Sequence, residues 1–180
     1  MAQAGTVIAA RTALMHYELL APDGNAAATI TLKNGIWPAQ AAPATPFLPK
    51  AITNHPEITA GGQTYVAHRR LRTNKFLFND FDIWLANAAG DPVISAITVG
   101  YSWTTAIKHA GQDFALRRKS SYRFAFDLTR DMASVATFHD TTPFWTMSAR
   151  RRFALDLSQP VDDVLLAFSL FLATSIFFRA

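Results

Sequence analysis

No cysteine occurs in the 180-residue chain. Its absence excludes disulfide staples, thiolate catalysis, iron–sulfur clusters and cysteine-ligated zinc. It leaves the compartment open, because a chain without thiols suits any redox environment. Charge is scarce as well: 17% of residues are charged, against about a quarter in an average domain. There is no glycine-rich phosphate loop. His16, His55, His68, His109 and His139 are scattered, and no two stand four apart as a helical metal site requires. No Lys or Arg precedes the first apolar stretch, and Arg11 interrupts it. A secretory leader is therefore not expected, and a cytoplasmic home is the default.

What is abundant is apolar surface. Half the residues are hydrophobic and 14 are Phe, which excludes a disordered tail and predicts a large core for one domain spanning 1–180. The net charge of +4 and a pI near 9.7 make the chain mildly basic. That is weak support for an anionic partner.

Apolar residues recur with a period of two. In Tyr122–Leu128, Tyr122, Phe124, Phe126 and Leu128 share one face while Arg123, Ala125 and Asp127 share the other. Phe153, Leu155 and Leu157 alternate in the same way, as do Phe114 and Leu116. Further strands are expected over Thr12–Leu20, Ala28–Lys33, Thr64–Arg70, Lys75–Asn79, Phe81–Asn87, Val93–Val99, Ser102–Lys108, Met132–His139 and Phe144–Ala149. Turn residues separate them at Pro22–Asn25, Asn34-Gly35, Gly61-Gly62, Ala89–Pro92, Ala110-Gly111 and Thr141–Pro143. The stretch 36–56, with Pro38, Pro43, Pro46 and Pro49, cannot be a central strand and reads as a surface loop.

The C-terminus breaks the pattern. Ser158-Gln159-Pro160 followed by Asp162-Asp163 is a helix start, with proline and carboxylates where the first turn favours them. Val164 to Phe178 is then uncharged and apolar on every side. Such a helix is surrounded by protein or by lipid. It would span about 22 Å, short of a bilayer core of about 30 Å, so a tail anchor is the lesser alternative to a buried core helix. About twelve strands, each with one apolar face, enclose more room than their own side chains fill. The expected fold is therefore mainly β: a closed antiparallel barrel of about twelve strands around a central helix at 159–178.

On these residues the chain resembles the Tubby-like superfamily, which holds the tubby C-terminal domain, the phospholipid scramblases and the plant LURP-one-related proteins. Phe81-Asp82-Ile83-Trp84 through Gly90-Asp91-Pro92-Val93 resembles the family's strand, glycine turn and strand. Ala106-Ile107-Lys108 through Phe126 resembles its central meander. Phe153–Leu157 and then Pro160 to Phe178 resemble its closing strand and terminal helix. The resemblance covers about Phe81–Ala180 and implies a twelve-stranded barrel threaded by that helix. The scramblases' cysteine cluster and calcium-binding segment have no counterpart, nor does the tubby phosphoinositide motif. Scrambling and transcriptional roles are thus not implied.

Most of the 17 Lys and Arg residues fall in three stretches: Arg69, Arg70, Arg72 and Lys75; Arg117, Arg118, Lys119 and Arg123; Arg150, Arg151 and Arg152. Together they would form an anion-binding surface for lipid head groups. The plainer reading is solvated strand ends and edge guards, because successive residues of a strand point to opposite faces. Nucleic acid is disfavoured: no recognition helix, zinc motif or RNP-type aromatic strand is present. Asp80-Phe81-Asp82 lacks a nucleotide-binding α/β context. Gly100-Tyr101-Ser102-Trp103-Thr104 lacks the last glycine of a nucleophile elbow. Trp37, beside Pro38, reads as a lid over a barrel mouth or as an exposed anchor.

These observations favour a non-enzymatic binding or regulatory module that docks on anionic phospholipid or a protein partner, peripheral at the inner face of the membrane. No cofactor, metal or catalytic residue is expected. A small-ligand-binding or enzymatic barrel with an unrecognised pocket is the main alternative, and a tail-anchored protein the second.

Overall fold

In the computed structural model, residues 5–13, 16–21, 23–31, 55–74, 79–99, 102–120, 123–142 and 152–177 are described. The period-two pattern becomes twelve strands. They are β1 (Gly5–Ala13), β2 (His16–Leu20), β3 (Ala26–Thr31), β4 (Glu57–Ala60), β5 (Gln63–Asn74) and β6 (Asn79–Ala86). Then follow β7 (Pro92–Thr98), β8 (Thr104–His109), β9 (Gln112–Arg118), β10 (Ala125–Arg130), β11 (Ala133–Asp140) and β12 (Arg152–Leu157). A single helix, α1 (Asp163–Phe177), ends the described chain.

Each strand pairs antiparallel with its neighbour in sequence, and β1 pairs with β12 to close the barrel. Val7 opposite Leu155 and Ala9 opposite Phe153 make that seam. An even number of strands is what lets the last of a meander meet the first in antiparallel sense. Inward positions are buried: Phe114 and Leu116 on β9, Phe126 and Leu128 on β10, Phe153 and Leu155 on β12. Phe124 stands 4.3 Å from Phe153 and 5.1 Å from Phe126, ring centre to ring centre.

The bore is filled by α1, whose residues Val164 to Thr174 are all buried. It packs against β3, β4 and β9. Asp162 caps its start: Oδ1 accepts from the Val164 amide at 2.8 Å, and its carbonyl accepts from the Leu166 amide at 2.9 Å. Phe168 and Phe171 are fully covered. No helix among the described residues is long and apolar enough to cross a membrane.

Several boundaries differ from the sequence reading. Thr12–Leu20 spans two strands, the end of β1 and all of β2. The four-residue β4 was not expected, because only Ile58 and Ala60 mark its inner face. Asn79 begins β6 with Phe81, while residues 75–78 lie outside the described residues, as does Phe144–Ala149. Met132 belongs to a turn, not to the strand after it. The helix starts at Asp163, with residues 159–162 leading into it. Of the proline-rich stretch 36–56, only His55 and Pro56 are described, ahead of β4.

Candidate functional site

Strict up-and-down order gives the barrel two unlike ends. Connections from an odd to an even strand gather at one end, and those from an even to an odd strand gather at the other. In the second group Gly61-Gly62, Ala110-Gly111 and Asp131-Met132 are two-residue turns, and the other two connections, 21–25 and 87–91, have five residues each. The described residues of all three basic stretches belong to the first group. Arg69, Arg70 and Arg72 lie toward the end of β5, Arg117 and Arg118 at the end of β9, Lys119 and Arg123 between β9 and β10, and Arg152 at the start of β12. Lys75, Arg150 and Arg151 lie outside the described residues.

On β5, the Arg69 guanidinium lies 4.5 Å from the ring centre of Phe81. Arg70 donates to Asp82 at 3.0 Å, and Arg72 is exposed. At the start of β12, Arg152 is exposed and its amide donates to the Thr142 hydroxyl at 2.8 Å. Carboxylates share this end, including Glu57, Asp80, Asp82, Asp127 and Asp140. The opposite end carries Asp23, Asp91, Asp131, Asp162 and Asp163, with Lys108 and Arg130. The barrel is thus polarised, and its basic end holds the two longest connections, 32–56 and 141–151.

The middle stretch forms a defined concavity. Trp103, Arg117, Arg118, Lys119 and Asp127 line an open groove of about 380 Å³. Arg118 is fixed on two sides. Its Nε donates to the Ser120 carbonyl at 2.7 Å, and its guanidinium lies 5.8 Å from the Trp103 ring centre. The backbone follows, since the Arg118 amide donates to the Trp103 carbonyl at 2.7 Å. Lys119 pairs with Asp127, whose other oxygen accepts from Thr137 at 3.0 Å. Arg117 stands opposite Asp127 on β10 and Thr104 on β8, and is exposed. Three cations and one carboxylate, itself engaged by Lys119 and Thr137, therefore line the groove, which leaves it net positive. Arg123 is exposed nearby, its amide bonded to the Ser120 hydroxyl at 3.1 Å. Sequence reasoning found the cations of this groove but not Asp127 or Trp103. Both reach it through cross-strand register, which no local pattern encodes.

Elsewhere several polar side chains are engaged within the fold. Among the described residues, no group of three or more His, Asp or Glu side chains is arranged to hold a metal. His16 lies 3.1 Å from the Thr31 hydroxyl and 3.5 Å from Glu18. His109 lies 3.6 Å from Asp162, and His139 3.5 Å from Asp156. His68 stacks on Trp84 at 5.4 Å and meets the His55 ring at 4.8 Å. Burial, and then the charge of His55, lower the pKa of His68 below its ordinary 6.5. That stack was not foreseen, because 55, 68 and 84 share no sequence spacing. The Ser102 hydroxyl bonds within its own loop, donating to the Thr104 carbonyl at 2.9 Å. Trp37 and Trp145 lie outside the described residues.

The chain is thus an up-and-down barrel with a helix-filled bore and one basic, groove-bearing rim. No family model, no curated protein and no solved structure matches it. Its barrel-and-helix architecture is consistent with a structural or binding role.

Proposed function

We propose that this barrel is a non-enzymatic, Tubby-like module that docks by its basic rim on anionic membrane phospholipid, peripheral to the inner face of the membrane. The observation that carries the reading is the gathering of described cations from three sequence-distant stretches, Arg69, Arg70 and Arg72, Arg117 to Lys119 with Arg123, and Arg152, at one end of the barrel. On a strand wall, successive Arg and Lys side chains diverge to opposite faces. At a rim, both directions border the same plane, so the dilution that the sequence suggests does not apply. The Tubby-like part of the reading draws on twelve strands and an enclosed terminal helix, the architecture that the resemblance implies.

Each Lys or Arg held near an anionic surface adds about 1 kcal/mol, screened by salt. Vesicles containing phosphatidylserine should float the full chain, and neutral phosphatidylcholine vesicles should not. Replacing Arg150, Arg151 and Arg152 together by Gln should weaken flotation at least severalfold, and added salt should do the same. Equal binding to both vesicle types would overturn the reading and favour a protein partner or a small ligand in the groove.

A further inference from the structure

We infer that His55 and His68, packed beside Trp84 at the basic end of the barrel, form a proton sensor: in mild acid both imidazoles become charged and strengthen the rim's hold on an anionic lipid surface. This rests on the lipid-docking reading and adds its regulation.

The five histidines are of two kinds. His16, His109 and His139 stand 3.5, 3.6 and 3.5 Å from the carboxylates of Glu18, Asp162 and Asp156. An acquired charge is balanced there on the spot. Among the described residues, neither His55 nor His68 is paired with a carboxylate; they face each other instead, ring centres 4.8 Å apart. Backbone register makes that contact. The Pro56 carbonyl accepts from the Ala67 amide at 2.8 Å, one step beyond Glu57 opposite Val66, which sets His55 beside His68. On its other side His68 lies opposite Trp84 of β6 and stacks on it at 5.4 Å.

The packed arrangement suits neutral rings. The Nδ1 atom of His55 is covered and has no hydrogen-bond partner. A neutral ring with its proton on Nε2 leaves that atom as an unused acceptor, whereas an imidazolium carries N–H on both nitrogens and has to turn one toward water. Two imidazolium charges side by side also repel. Burial, and then the charge of His55, lower the pKa of His68 below 6.5. Stability from the closed pair is therefore complete above pH 6.5 and is lost as the pH falls through that lowered value. The charged side chains on the outer faces of the strands around the pair are Glu57 on β4, Arg70 on β5 and Asp82 on β6, and the last two meet at 3.0 Å.

Position links the pair to docking. Tyr65 and Ala67 are buried on the inner face of β5, so His68 and Arg70 share its outer face. They stand about 7 Å apart along the strand, within a Debye length of about 8 Å. Charging the pair thus extends the cationic row that leads through Arg70 and Arg72 to the rim. Each charge added near an anionic surface strengthens binding about fivefold.

The test floats the full chain with phosphatidylcholine–phosphatidylglycerol vesicles, whose phosphates stay ionised throughout, at about pH 7.5 and about pH 5.5. Binding should be severalfold stronger at the lower pH, and the His68 ring, followed by NMR, should titrate over the same range as the gain. His55→Gln and His68→Gln combined should bind as the unaltered chain does at the higher pH and lose most of the gain at the lower. A gain that survives the double substitution, or no gain in a chain that does bind, would overturn the sensor and leave the docking reading standing. Failure of the unaltered chain to bind these vesicles at either pH would overturn both.

Discussion

Ser169 lies in the middle of α1, fully buried, and its hydroxyl has no hydrogen-bond partner among the described residues. Thr174, on the same helix, does bond back to the Phe171 carbonyl at 3.0 Å. The sequence allowed both hydroxyls that option, and only the structure separates them. An unpartnered buried hydroxyl carries a desolvation cost without a compensating bond. Ser169→Ala should therefore leave stability unchanged or raise it by up to about 1 kcal/mol, read from the midpoint of urea unfolding. A loss of that size would mean that the hydroxyl is satisfied. The basic residues show the same division at this scale. Their identity was legible, but what each touches was not: Arg69 rests on Phe81, Arg70 meets Asp82, and Arg117 stays exposed.

Turns decide how the strands are cut. Gly61-Gly62 and Ala110-Gly111 announce themselves by glycine, and their positive φ angles, such as 75° at Gly62 and 74° at Gly111, use its freedom. The turn between β10 and β11 gives no such signal. Asp131 and Met132 adopt φ of 50° and 67°, a left-handed pair in which each L residue is disfavoured by about 1–2 kcal/mol. That is why Met132 read as the start of a strand. Changing the pair to Asn-Gly should stabilise the protein by about 1 kcal/mol net of the freedom glycine adds to the unfolded chain. For a domain of this size the melting temperature should rise by about 2–4 °C. An unchanged or lower melting temperature would show that the turn carries no strain. Short strands are the other weak point: β4 has too few residues for a period to emerge.

For the whole molecule, closure and filling depend on each other. A twelve-stranded bore left empty would face its inward Phe, Leu and Ile side chains with water. The helix covers them, and each of Phe168, Leu170, Phe171 and Leu172, all fully buried, contributes about 1.5–3 kcal/mol on burial. Together these rival the net stability of a typical domain, about 5–15 kcal/mol. A chain ending at Ser158 should therefore fail to fold, giving no cooperative thermal transition by circular dichroism and an aggregated profile in gel filtration. Phe171→Asp should behave alike, because a charge would be buried without a partner. A monomeric, cooperatively folding truncation would show that the sheet closes without its plug.

The class of fold was legible in the local pattern of residues. Alternation at Phe114–Leu116, Phe124–Leu128 and Phe153–Leu157 dictates strands with one inner face, and an uncharged all-apolar helix has to be enclosed. These are local signals, carried by residues a few positions apart. The two unlike ends of the barrel and the groove emerge only when the sheet is closed. Whether Arg70, Arg118 and Arg152 meet at one rim depends on the direction in which β5, β9 and β12 run. The Trp103–Arg118–Asp127 groove depends on register across three strands. Strand parity and register belong to the closed sheet as a whole, so no window of sequence contains them.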